Sequence, residues 1–394
     1  MINFKFSIIV FTLFMCTYVH SQDYLITKQW IDQTNMDDSK VDGIIYIKKG
    51  KDFLVDRLFL DNKTLNLNRI NSLNGADKLE KATALLEKLN GGTIIISDNI
   101  LIDRPVTIRN IRGLEIRGIT SRYSLQGGLF TSSAIEFVKD GSLTFTDFID
   151  LKIIKINLLN KTKQHENLLK LYKGHGFEIS DVNIRSVNSN RSVGIYLGNN
   201  SGAEASFMGT ISRVNILSDG GTGIYTGDSN TSLNFTNCYF MGCSWQIKGT
   251  VYSSWTNCAV DNSPDNAYNI SGGKYSKAHT LTFISCGAEK SQKSAWYFES
   301  GVYSVEIIAP LSGINNISKA SNVGELATFN NIGTNQLTNI KISSPVVMVN
   351  DNNRDIYVTN GKTGKITIEN IYSEAFTNKI GSKDWEISKN LIVK

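Results

Sequence analysis

The chain has 394 residues, 20% of them charged, and a formal net charge of +5. That composition excludes a disordered polyelectrolyte, and so mild a basic surplus gives no ground for a nucleic-acid partner. Gly 32 against Pro 4, with Phe 18 and Tyr 15, fits many short strands and tight turns, because proline removes donors from a sheet ladder.

Residues 1–21 place Lys5 ahead of an apolar run from Phe6 to Val19, and Ser21 offers a small residue at a cut before Gln22. This is the pattern of a secretory signal peptide; the run is shorter than the ~20 residues of a membrane span. The expectation is a secreted chain, extracellular or periplasmic, with no membrane span. Loss of Lys5 leaves a charge near +4, compatible with an acidic polymer as substrate.

Residues 22–75 read as a lead-in segment. Within it Val41–Lys49 alternates as a strand, and Asp52–Arg57 is its partner across a Lys49-Gly50-Lys51 turn. Ala76–Leu89 has helical spacing, with Leu79, Ala82, Leu85, Leu86 and Leu89 on one face. Asn74 caps its start, Asp77 follows three residues on, and Asn90-Gly91-Gly92 stops it. Such a helix covers the raw apolar end of a stacked sheet.

From Thr93 the chain becomes a succession of short strands: Thr93–Ser97, Ile100–Asp103, Val106–Ile111 and Leu114–Ile119. Residues 143–172 are less regular, with Leu151–Leu159 apolar enough for strand and Lys161–Leu171 a loop or helical turn. Then one pattern repeats: Leu233-Asn-Phe-Thr-Asn-Cys-Tyr-Phe240, Ser253-Ser-Trp-Thr-Asn-Cys-Ala-Val260 and Leu281-Thr-Phe-Ile-Ser-Cys-Gly-Ala288. Phe177–Ile184 fits the same template, and Gly209–Ile216 more loosely. Alternation, a polar pair, then alternation again describes a strand that bends and resumes. A unit recurring every 20 to 32 residues, too short to bury its own apolar face, must stack on its neighbours as a parallel β-solenoid. Rungs continue to residue 372, and residues 373–394 form a C-terminal flank.

Cys238, Cys258 and Cys286 hold the same inward place in successive repeats, so stacking sets them over one another as a small buried column. A disulfide between rungs is the competing arrangement in a secreted chain. Zinc has no support, because Cys-x-x-Cys pairs and histidines at ligand spacing are missing. Trp255 and Trp296 fall on inward positions, and Trp245 fits neither side clearly.

The Gly-Gly-Thr-Ile-Ile-Ile start after a helix resembles the right-handed parallel β-helix of the pectin-lyase-like superfamily, over residues 76–372. Asp42–Gly50, Asn257-Cys-Ala-Val-Asp261 and Ser285-Cys-Gly-Ala-Glu289 resemble phage tailspike depolymerases and related secreted glycan-degrading enzymes. One departure stands out: such proteins commonly carry Gly-Ala-x-Gly-Asp before the capping helix, and residues 66–76 here read Asn-Leu-Asn-Arg-Ile-Asn-Ser-Leu-Asn-Gly-Ala. The resemblance implies an all-β, right-handed parallel β-helix with a short N-terminal capping helix at 76–89. It further implies a homotrimer that cleaves a capsular or extracellular polysaccharide by hydrolysis or β-elimination, with no cofactor required.

The repeat template puts Arg185, Leu217, Met241, Asp261 and Glu289 in one outward column, so Asp261 and Glu289 are neighbours on adjacent coils. Carboxylates that close do not both ionise freely, and a raised pKa suits a general acid. Solvated surface acids, or a shared cation, are the plainer readings. Elimination needs other parts: Arg185, Arg213 and Lys248 supply positive charge, Lys248 or His279 the base, and Asp261 or Glu289 holds Ca²⁺ against a substrate carboxylate. His165 and His175 lie in less regular stretches. Tyr196, Tyr225 and Tyr297 alternate outward, and Tyr297 is the preferred sugar platform. The candidate catalytic residues are therefore Asp261, Glu289 and Lys248, and the candidate substrate contacts Tyr297, Tyr225, Arg213, Arg185 and His279. A non-catalytic glycan-binding or adhesive solenoid is the alternative function, and a polymer epimerase a third.

Overall fold

The computed structural model describes residues 43–373 and 391–393, except 50–51, 61–63, 70–73, 89, 120–132, 162–166, 187–192, 199–203, 321, 333–334, 336, 349–354 and 362. The signal segment, Cys16 and His165 lie outside the described residues.

Three parallel sheets of 13, 11 and 10 strands are wound from consecutive short strands. Each coil passes through the first, second and third sheets in turn, and each strand pairs with its counterpart one coil earlier and one coil later. Leu233–Phe240 illustrates the bend read from the repeat. Thr231–Thr236 lies in the first sheet, Asn237 turns the corner, and Tyr239–Met241 enters the second sheet.

The corner is a single left-handed residue at the same place on each coil from Lys155 onward. Lys155, Asp181, Arg213, Asn237, Asn257, Ser285, Ala309, Ser344 and Asn370 all have φ between 49° and 55°. Asn and Asp enter that region most readily among residues with a Cβ, which accounts for the polar pair in the repeat. A second left-handed column kinks the first-sheet strands near their starts: Met208, Ser232, Tyr252, Thr280, Ser304 and Asn339, with φ from 48° to 57°.

Between the sheets the side chains stack by type. Phe235, Trp255 and Phe283 lie face to face with centroids 4.9 and 4.5 Å apart. Trp245, Tyr268 and Trp296 form a second stack at 5.8 and 5.2 Å. All three tryptophans are buried, Trp245 included. Cys238, Cys258 and Cys286 follow one another inward as free thiols, and Cys243 is a fourth buried thiol. Fully burying each large side chain contributes about 1.5–3 kcal/mol, so the stacked rings are the main cohesive element of the middle coils.

The capping helix α1 spans Gly75–Lys88 and packs on the strands of the first coil. Its described inner face is Ala76, Leu79, Ala82 and Leu86; the Leu85 and Leu89 side chains lie outside the described residues. Asn74 Oδ1 accepts from Asp77 N at 2.8 Å, the predicted cap. Arg104 straps the helix to the following corner, reaching Asp77 at 2.8 Å and Glu80 at 2.6 Å. The Gly43–Lys49 and Asp52–Leu60 strands pair antiparallel, as read from the sequence.

Three expectations need correction. The first-sheet ladder does not begin at Thr93: Thr64–Asn66, ahead of α1, already pairs with Thr93–Ile95. Residues 167–172 are a third-sheet strand and not a loop or helical turn, their outward Asn167, Lys170 and Tyr172 having masked the alternation of buried Leu169 and Leu171. The C-terminal flank contributes a rung, Leu391–Val393 pairing with Ile366–Ile368.

Candidate functional site

The outward column predicted on the second sheet is present. Arg185 pairs with Leu217, Leu217 with Met241, Met241 with Asp261, and Asp261 with Glu289. Strand stacking sets the Asp261 and Glu289 backbones ~4.8 Å apart. Their side chains lean in opposite directions. The Tyr239 hydroxyl donates to Asp261 Oδ2 at 2.7 Å from the preceding coil. Glu289 lies forward across Gly313, where an added Cβ would come within 2.7 Å of its Cγ.

The parallel column beside the acids explains the space around them. Asn157, Asn183 and Asn215 form an amide ladder, each later Asn donating to the Oδ1 of the earlier one at 3.0 and 2.9 Å. Tyr239 ends the ladder, and Ala259 and Gly287 take its place on the next two coils. Small residues there leave a shallow floor beside the two carboxylates.

Asp261 is held above the usual carboxylate range, in the direction a general acid needs. The cause differs from the one expected. Burial raises it, while the Tyr239 hydrogen bond and the charge of Lys290 pull it down; repulsion from Glu289 is not what sets it.

The other predicted residues are spread over three faces. Lys248 is on the third sheet, paired with Ser271, and so is not beside the acids. Arg213 sits at a corner and forms a forked ion pair with Asp181 at 2.6 and 2.8 Å. Arg185 stands three coils before Asp261 in the same column. His279 is on the first sheet, stacked on Tyr303 at 4.7 Å and edge-on to Tyr252 at 5.2 Å; burial lowers its pKa. Tyr225 stacks on Tyr196 at 4.6 Å, so each covers a face of the other.

Tyr297 is different. Its register neighbours are Asn269 and Thr328, and it lines a groove of about 470 Å³ together with Gln246, Asp265, Glu299 and Asn330. Asp265, Glu299 and the wall residues Ala320, Asn322 and Val323 were not singled out in the sequence. Glu299 was within reach of the alternation rule, two residues beyond Tyr297 on one strand. The wall was not, because residues 314–326 interrupt the repeat with a long connection.

Among the described residues no three His, Cys, Asp or Glu side chains converge as a metal cage, and no helix is long and apolar enough to cross a membrane.

No family profile and no curated protein matches the chain. Solved structures do share its fold. A tailspike protein of E. coli bacteriophage HK620 superposes with TM-score 0.57 at 10% identity, over 82% of this chain and 63% of that one. The catalytic domain of a GH87 alpha-1,3-glucanase in complex with nigerose gives 0.51 at 11% identity, over 82% and 67%. The Agl-KA catalytic domain gives 0.54 at 10% identity, over 85% and 67%. The chain thus has the right-handed parallel β-helix fold and spans about two thirds of the length of these neighbours.

Proposed function

We propose that the protein is a polysaccharide-degrading enzyme that hydrolyses its glycan with Asp261 as general acid and Glu289 as its partner carboxylate. The observation that carries this reading is the half-buried Asp261, raised by burial and oriented by Tyr239, with a second acid at the next register position. Asp261 gives its proton to the glycosidic oxygen as the bond to the anomeric carbon breaks. Water adds at that carbon and its proton passes to Glu289. The two side chains lean apart, Asp261 to Tyr239 and Glu289 over Gly313, which favours inverting hydrolysis, whose carboxyls stand ~6.5–9.5 Å apart.

Elimination is disfavoured by the placement of its parts. It needs a cation on a uronate carboxylate and a base at the neighbouring carbon, yet Lys248, Arg213 and His279 stand on separate faces. On the elimination reading Asp261 or Glu289 would hold a Ca²⁺ ion against the substrate carboxylate. The same proposal has residues 1–21 removed on export and the mature chain assembled as a homotrimer, checked by N-terminal sequencing and by mass in solution.

The test is product analysis on a panel of neutral and acidic polysaccharides with the wild type, Asp261→Asn and Glu289→Gln. Hydrolysis releases reducing ends that both variants lose. Ultraviolet-absorbing unsaturated ends would establish elimination instead, and full activity in both variants would remove this site. Binding without any product would make the protein a glycan-binding solenoid.

A further inference from the structure

We propose that the groove around Tyr297 on the third sheet is a glycan subsite that selects uncharged sugars over uronates; this rests on the glycan reading above but not on its catalytic residues. The groove has the composition of a sugar site. Amides supply donors and acceptors, one aromatic ring stands among them, and its volume of about 470 Å³ lies in the ~300–1,000 Å³ range of small-ligand clefts.

Its polar groups are fixed before any ligand arrives. Asn266 Nδ2 donates to Asn269 Oδ1 at 2.9 Å, and Asn269 Nδ2 donates back to the Asn266 carbonyl at 3.2 Å. Asn330 Nδ2 donates to the Tyr297 hydroxyl at 2.6 Å, so that ring is held from the next coil. The opposite wall is fixed as well. Buried Asn316 donates to the carbonyls of Ala320 and Val323 at 3.2 and 2.9 Å and accepts from Ala320 N at 3.1 Å. Ordering costs on binding are therefore small on the protein side.

Charge sets the selectivity. Lys293 is the single cation among the groove's described lining residues, and it is spent on Asp265 at 2.8 Å. Glu299 is left as the net charge of the groove, on the same strand as Tyr297, and its charge adds to the burial that raises that phenol's pKa. A sugar carboxylate entering there meets a like charge with no cation to receive it. A neutral hexose or an N-acetylated amino sugar meets amides, a hydroxyl and a ring whose faces are not taken up by another ring.

The experiment is calorimetric titration of the full chain carrying Asp261→Asn, which stops turnover without touching the groove. The probes are neutral gluco-oligosaccharides, N-acetylglucosamine oligomers and oligogalacturonate. A neutral or acetamido probe is expected to bind, with oligogalacturonate weaker by about tenfold or more. Tyr297→Ala weakens the bound probe by about tenfold or more, and Glu299→Gln narrows the gap to oligogalacturonate. Tyr297→Phe and circular dichroism control for folding. Oligogalacturonate binding as tight as the neutral probes, an unaffected Tyr297→Ala, or no binding by any probe overturns the proposal. Failure of the catalytic assignment shows separately, as turnover that survives Asp261→Asn alone.

Discussion

Tyr239 and Asp261 are joined across two adjacent coils by a hydrogen bond of 2.7 Å, the phenol donating to the carboxylate. That bond favours the ionised acid, against the burial that favours the protonated one. Removing it with Tyr239→Phe therefore raises Asp261 further. With Asp261 as general acid, the alkaline limb of the kcat/KM profile moves to higher pH in Tyr239→Phe. A limb that stays in place assigns the proton to another group.

Burial of Asp261 also has a signature in folding. Because its pKa is higher folded than the ordinary 3.8, the folded chain holds the proton more tightly than the unfolded one. Its contribution to stability is complete below the ordinary value and is lost as pH rises through the folded value. Urea unfolding of the wild type and Asp261→Asn at a series of pH values checks this. The variant gains on the wild type as pH rises through that window.

Gly313 gives Glu289 its resting place. A Cβ there would stand 2.7 Å from Glu289 Cγ, so Gly313→Ala turns that side chain back towards Asp261. The backbone is outside the left-handed region at this glycine, and the fold accepts alanine. Displacing a reacting group by about 1 Å costs up to about a hundredfold in rate. The expected outcome is a fall in kcat by about ten- to a hundredfold with an unchanged melting curve. An unchanged kcat detaches Glu289 from the chemistry.

Trp255 is the middle ring of the Phe235–Trp255–Phe283 stack and is fully buried. Trp255→Ala destabilises the chain by about 3–5 kcal/mol, by lost burial and the cavity left between two flat neighbours. Denaturant titration measures it. A loss below 1 kcal/mol would mean the stack collapses over the gap.

The four described cysteines are buried and free, and the neighbouring Cys238 and Cys286 thiols, together with burial, push the Cys258 thiol up. A thiol reagent should label none of them in the native chain and all four after unfolding. Rapid native labelling of Cys258 would place that column nearer solvent than it stands here.

Much of this architecture was legible because its rule is local. Alternation at Leu233, Phe235, Cys238 and Phe240 fixes which side chains face in, and stacking carries the register to Trp255 and Phe283 without further information. The adjacency of Asp261 and Glu289 followed from the same rule. What the rule does not specify is side-chain direction. Whether Glu289 leans towards Asp261 or away depends on Gly313, a residue on the next coil whose missing Cβ makes the room. The Tyr297 groove was half legible. Tyr297 was on the outward alternation, whereas Ala320, Asn322 and Val323 come from a connection with no periodicity to read.

The left-handed corner recurs from Lys155 to Asn370 and the strand kink from Met208 to Asn339, at matching places on every coil concerned. Each turn thereby serves as the template for the one laid upon it. Duplication or excision of a whole turn leaves the new junction with matching bends on both sides. Length in this scaffold is a quantity that descent adjusts freely, whereas the outline of its profile is inherited almost without choice. A lineage of such chains will diverge first in how far it extends, and in the long connections it hangs from its flanks.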